Sequence, residues 1–128
     1  MNLSERVRIH LASIDAGHGQ FKDTQELISG AFDYEPAGFH NGPLFNAAGE
    51  NEGSCRVFSL AQYCNLNESD TLLLFAEHYQ NVLNDPAGDS HGNIRQFMAT
   101  GWSGIYFDRP PLRIRPAAGP EDNIEESL

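Results

Sequence analysis

The stretch Asn46-Ala47-Ala48-Gly49-Glu50-Asn51-Glu52-Gly53-Ser54-Cys55 runs directly into Arg56-Val57-Phe58-Ser59-Leu60-Ala61-Gln62-Tyr63-Cys64. The first half is punctuated by glycines and has no apolar period. The second places Val57, Leu60, Ala61 and Cys64 at helical spacing. The boundary predicts a polar loop that delivers the chain into a core helix over 54–64, with Ser54 as its cap. The first amides of such a helix lack intrahelical partners, so the junction is also a candidate binding point.

Upstream, the segment from Glu35 to Gly53 is broken by Pro36, Gly38, Gly42, Pro43, Gly49 and Gly53. It predicts a long polar loop anchored by Phe39, Leu44 and Phe45, with one short strand at 44–46. Long loops without regular structure tend to be functional. Before it, Leu3, Val7, Leu11 and Ile14 predict a first helix capped by Asn2 or Ser4, with His10 as a boundary residue that keeps an exposed edge. Asp23 and Glu26 resemble a capping box opening a second helix that Pro36 stops.

Downstream, Asn67 caps a helix that is expected to run unbroken to about Leu83, with Leu72, Phe75, Ala76, Tyr79, Val82 and Leu83 as its core stripe. Asp89 or Ser90 caps a last helix whose Ile94, Phe97 and Met98 face inward and whose Gly101 ends it. Residues 104–107 and 112–114 read as two strands of a loose hairpin around Asp108-Arg109-Pro110-Pro111. The expectation is an α+β fold, predominantly α-helical, with about five helices, a long polar loop and a minor antiparallel β-hairpin. Residues 1–115 form one domain. The tail 116–128, with Glu121, Asp122, Glu125 and Glu126 and no base, is expected to be disordered.

The 128 residues are 40% hydrophobic and include eight Phe, four Tyr and one Trp, enough for one core. Eight basic against eighteen acidic residues give a formal charge of −10. Such a surface repels phosphate backbones and anionic lipid, which argues against nucleic-acid and membrane partners. No run approaches the ~20 apolar residues of a membrane span, and the first eleven residues do not read as a secretory leader. Cys55 and Cys64 are too far apart along one helix to bridge, so reduced thiols and a cytoplasmic location are expected.

Three constellations carry chemistry. A thiol in the first turn of a helix has a lowered pKa, which makes Cys55 a candidate nucleophile beside Asn51 and Ser54; the ordinary alternative is a small buried residue. Glu77-His78-Tyr79 offers His78 as a base, although Glu77 and His78 diverge by ~100° around a helix. His91-Gly92-Asn93-Ile94-Arg95 puts His91 and Arg95 one turn apart as a candidate anion clamp, and Trp102 between glycines offers a flat wall. In the ordinary reading Arg95 pairs with a carboxylate and Trp102 closes the core. The histidines follow no metal-ligand spacing, so no metal and no cofactor are expected.

Four blocks in order, Asn51 to Phe58, Thr71 to Tyr79, His91 to Met98 and Gly101 to Ile105, resemble the HopJ family of type III effectors. The likeness runs from about Leu3 to Leu112, and the tail has no counterpart in it. The resemblance implies a small bacterial single-domain protein delivered into a host cell through a type III system. It implies no catalytic residue or cofactor. The favoured expectation is a non-enzymatic binding module in which Asn51, Ser54, His91, Arg95 and Trp102 line a groove for a small anionic ligand or a protein. The alternatives are a cysteine-dependent enzyme with Cys55 as nucleophile and His78 or His91 as base, and a translocated effector that acts by contacting a host protein.

Overall fold

The computed structural model describes residues 2–116. The acidic tail, apart from Pro116, lies outside the described residues. The elements run α1 (Leu3–Asp15), α2 (Phe21–Ala31), β1 (Phe32–Tyr34), β2 (Phe39–Asn41), β3 (Leu44–Asn46), α3 (Glu52–Tyr63), α4 (Glu68–Leu73), α5 (Glu77–Asn84), α6 (Gly92–Thr100), β4 (Ile105–Phe107) and β5 (Leu112–Ile114). A 3-10 turn spans Gly101–Gly104 between α6 and β4. The fold is α+β and predominantly helical, as its apolar periods predict.

Helix α3 is the centre of the molecule. Val57, Phe58, Ser59, Leu60 and Ala61 are all buried in succession, which a helix can achieve only when it is covered on every side. Phe58 meets Phe39, Phe75 and Phe97 at centroid distances of 6.0, 5.4 and 5.0 Å. Each ring removed from water contributes about 1.5–3 kcal/mol. At the periphery, Asn2 Oδ1 accepts from Glu5 N at 2.9 Å and caps α1. Helix α2 starts at Phe21, two residues before the expected position, and Asp23 Oδ2 accepts from Gln20 N at 2.9 Å inside its first turn.

The expected long loop contains two strands. Asn41 pairs with Leu44 across Gly42-Pro43, and Gly42 takes φ +57°, which a two-residue hairpin turn requires at its first central position. The anticipated hairpin between 104–107 and 112–114 does not form. Strand β4 pairs with β2 (Phe39↔Phe107), completing the sheet β3-β2-β4, whereas β5 pairs with β1 (Phe32↔Ile114). Pro110 and Pro111 have no N–H to donate, so the chain between β4 and β5 cannot build a mutual ladder.

The helix expected from Asn67 to Leu83 is two helices, which brings the α-helices among the described residues to six. Leu74, Phe75 and Ala76 are each at most 3% exposed. Three consecutive residues cover ~200° of a straight helix and cannot share one apolar stripe. The backbone breaks at Ala76, with φ +52°, and α5 restarts in a new direction. His78 N donates to Phe75 O at 3.1 Å instead of to Leu74 O. The released Leu74 carbonyl accepts from Thr24 Oγ1 at 2.9 Å, and Thr24 Oγ1 in turn lies 2.6 Å from His10 Nε2. Leu83 and Met98, expected inside, are 44% and 45% exposed, because they line the open groove between α5 and α6. Phe45 is likewise 55% exposed on the sheet's outer side.

Thr24→Val keeps the shape and removes both hydrogen bonds, leaving a buried carbonyl unpaired. The expected loss is about 1–3 kcal/mol, read as a lower denaturation midpoint at unchanged m-value.

Candidate functional site

A cleft of about 460 Å³ opens where the β3 hairpin, the start of α3 and the start of α6 meet. Its polar lining comes from Asn46, Asn51, Ser54, His78, His91 and Asn93, and its apolar wall includes Phe21, Leu44, Phe45 and Phe75. Gly53 opens it: a Cβ there would stand 3.0 Å from the Phe21 ring. Although the chain has eighteen acidic residues, no Asp, Glu, Lys or Arg among the described residues lines this cleft.

The floor is a cluster of asparagine amides. Asn41 and Asn93, at 0% and 8% exposure, meet through Asn41 Nδ2, which donates to Asn93 O at 2.9 Å and to Asn93 Oδ1 at 3.0 Å. Asn93 Nδ2 donates to Asn46 Oδ1 at 2.9 Å, and Asn51 Nδ2 donates to the same oxygen at 2.6 Å. Two strands and the starts of two helices are thereby tied at one point. Residues Asn41, Asn46 and Asn93 escape the sequence reading as site-builders. Their signal is an amide at positions where the alternation or the helical period asks for an apolar residue.

Two of the helix starts in the cleft are unusual. Asn51 and His91, the N-cap residues of α3 and α6, both lie in the left-handed region at φ +50° and +55°, and neither side chain caps its own helix. The Asn51 amide is spent on Asn46. The first internal bonds are Cys55 N to Asn51 O in α3 and Ile94 N to His91 O in α6. The amides ahead of them have no intrahelical acceptor. Asp89 and Ser90, the expected caps, are displaced from that role by His91.

His78 and His91 pack with ring centroids 4.9 Å apart and planes tilted by 42°, and His78 also meets the Phe21 ring edge-on at 4.8 Å. His78 Nδ1 is buried without a hydrogen-bond partner among the described residues. Burial, reinforced by the neighbouring His78 and Arg95, holds the His91 pKa below its ordinary value. Glu77 turns the other way and accepts from Phe21 N at 2.7 Å, as the angular divergence predicted.

Thus Asn51, Ser54, His78 and His91 converge, and three other candidates stand elsewhere. Arg95 does not clamp with His91: its guanidinium donates to Pro86 O at 3.3 Å and to Ser90 O, and it faces the groove between α5 and α6. Trp102 packs edge-on to Phe97 at 5.2 Å and donates from Nε1 to Leu66 O at 3.0 Å, closing the core. Cys55 is 1% exposed, with Sγ 3.7 Å from Ala37 O, and burial pushes its thiol pKa up. The helical first turn does not activate it, because the side chain points into the core. Among the described residues no group of three or more His, Cys, Asp or Glu side chains could hold a metal ion. No described helix is long and apolar enough to cross a membrane.

A family model described as HopJ type III effector protein matches residues 8–112. A crystal structure described as the unknown function protein VPA0580 superposes with a TM-score of 0.74 at 39% sequence identity, covering 75% of this chain and 81% of that one. No curated protein matches.

Two outcomes follow from this geometry. Asn93→Ala removes the side-chain bonds of residue 93 to Asn41 and Asn46, leaving Asn41 on the residue-93 carbonyl and Asn46 on Phe39 O and Asn51, and a loss of about 1–3 kcal/mol is expected in a denaturant melt. Thiol titration of the folded protein leaves Cys55 unmodified until unfolding; fast modification would contradict its placement.

Proposed function

The chain belongs to the HopJ type III effector family, and from that premise we propose that it is a non-enzymatic module binding a small anionic group in the cleft between α3 and α6. The observation that carries this reading is the convergence of two uncapped helix N-termini on a cleft without carboxylates. Each N-terminus presents roughly half a positive charge and free N–H donors. Gly53 and Ser54 offer theirs from α3, and Gly92 and Asn93 offer theirs from α6. The Ser54 hydroxyl adds a neutral donor, and His91 adds a charge once protonated. Phe21 and Phe75 restrict water around the pair, which strengthens each hydrogen bond to an anion.

The buried, inactive Cys55 thiol gives no support to turnover by a cysteine nucleophile. An effector role under this reading rests on capturing the anion, free or carried by a partner, in keeping with the family's type III description.

The sign of the pH dependence follows from His91. Its folded pKa lies below that of the unfolded chain, so the unfolded chain binds more protons in the window below about pH 6.5. Without ligand, the stability linked to His91 is therefore fully present above that pH and is lost as pH falls. A bound anion reverses the preference by favouring the imidazolium.

Sulfate is the suitable probe because it stays a dianion throughout. Its affinity is expected to rise several-fold from about pH 7.5 to about pH 5.5, with saturable shifts of the Gly53, Ser54, Gly92 and Asn93 amides in NMR titration. His91→Asn tolerates the left-handed backbone, and it is expected to abolish the pH dependence and weaken binding about tenfold. Arg95→Ala leaves the affinity within about twofold, since that guanidinium faces another groove. Sulfate shifts that miss these four amides would sink the assignment.

A further inference from the structure

A second cleft, also about 460 Å³, lies on the other side of the central helix between α3 and the β4–β5 segment. Ser59, Gln62 and Tyr63 line it from α3 at positions i, i+3 and i+4, so they share one helix face. Tyr106 and Asp108 line it from the opposite side. Ser59 is 7% exposed, and its Oγ has no hydrogen-bond partner among the described residues. A buried hydroxyl left unpaired is costly, and one that lines a cleft is available to a ligand.

The charges of this cleft narrow what it can hold. Arg109 is committed outward, forming an ion pair with Glu35 at 2.7 Å and donating to Pro36 O. Asp108 has no salt bridge among the described residues. The lining therefore offers a carboxylate, an amide and a hydroxyl with no unspent cation, an arrangement that repels anions and suits neutral hydroxyl groups. Two large rings stand open beside these groups: Tyr63 is 51% exposed and Tyr106 is 66% exposed. Tyr63 is braced edge-on by Phe32 at 5.2 Å, which holds its ring in place.

Tyr106 also belongs to a row. The middle residues of the strands in sheet β3-β2-β4 are Phe45, His40 and Tyr106, paired directly in register. All three are aromatic, and all three are exposed on the sheet's outer face. His40 lies 4.9 Å from the Phe45 ring and 6.0 Å from the Tyr106 ring. The second cleft thus continues into an aromatic track on a rigid hydrogen-bonded support.

We propose that this cleft and track bind a neutral saccharide. The C–H face of one sugar ring lies against Tyr106 and Tyr63, its hydroxyls bond to Ser59 Oγ, Gln62 and Asp108, and further sugar units stack over His40 and Phe45. The chemistry matches the ligand: a pyranose has one apolar face and a rim of hydroxyls, which aromatic faces and planar carboxylate and amide groups complement. The proposal rests on groups outside the anion cleft, apart from Phe45 at the shared edge, and stands independently of it.

The test titrates the full chain with cellotetraose, maltotetraose and fully N-acetylated chitotetraose and with the matching neutral disaccharides. Saturation-transfer NMR and calorimetry are the readouts. Saturable binding of at least one tetrasaccharide at millimolar concentration is expected, with saturation strongest on the ring C–H protons. Tyr106→Ala is expected to weaken it at least about tenfold, and Ser59→Ala several-fold. Phe45→Ala is expected to weaken the tetrasaccharide and spare the disaccharide. Tyr106→Leu keeps an apolar strand residue and serves where the alanine variant loses stability. Three results would overturn the proposal: no saccharide binding at millimolar concentration, binding indifferent to both Tyr106 substitutions, or tighter binding of tetramethylammonium at the same resonances, which would make the rings a cation cage.

Discussion

Three amide side chains with no charge and little volume hold the functional end of this protein together. Asn41, Asn46 and Asn93 are buried, and in a low-dielectric interior an amide without partners costs about 1–3 kcal/mol, whereas a paired one stabilises modestly. The asymmetry makes them a constraint more than a source of energy. Strands β2 and β3 and the start of α6 must meet within hydrogen-bond distance, or three polar groups are stranded at once. Asn51 joins through Asn46, so the start of α3 is drawn to the same point. Once the four elements meet there, two helix N-termini necessarily face one cleft. Within this amide cluster Asn41 Oδ1 is buried without a partner among the described residues.

The carboxylates near this end of the molecule are each led away from the cleft. Glu50 accepts from Ala47 N, Glu52 from Tyr34 Oη, and Glu77 from Phe21 N. Glu68 accepts from Trp102 N further round. In a chain with a formal charge of −10, this cleft is thereby lined without a carboxylate among the described residues. The break at Ala76 completes it. By ending α4 and redirecting α5, it sends Glu77 to the start of α2 and His78 against His91. Thr24, which satisfies the carbonyl freed by that break, thereby supports the site from across the core.

The family relationship and the 39% identical crystal structure establish the scaffold and assign no activity. The functional readings accordingly rest on which side chains the scaffold leaves unspent. On one side of α3 these are backbone amides and a histidine pair. On the other they are a serine hydroxyl, an amide, a carboxylate and a line of rings. The cysteine that looked most reactive in the sequence belongs to neither set.

The helical segments, the class of the fold and the divergence of Glu77 from His78 were legible in the sequence, because helical periodicity and caps act over three or four residues. The polar blocks around Asn51 and His91 were legible for the same reason: the start of a helix announces itself locally. Strand partners were not. Three-residue strands carry almost no periodic signal, and β4 finds β2 across more than sixty intervening residues through packing on Phe39. Nor could periodicity show that Leu74, Phe75 and Ala76 would all be buried and so break a helix, or that Arg95 and Trp102 would turn from the cleft while Asn41, Asn46 and Asn93 built it. A side chain's chemistry belongs to its residue, but whether that chemistry is satisfied, buried or free depends on neighbours distant in the chain. The sequence alone therefore determined the elements and the candidate groups; only the tertiary structure decided which groups share a site.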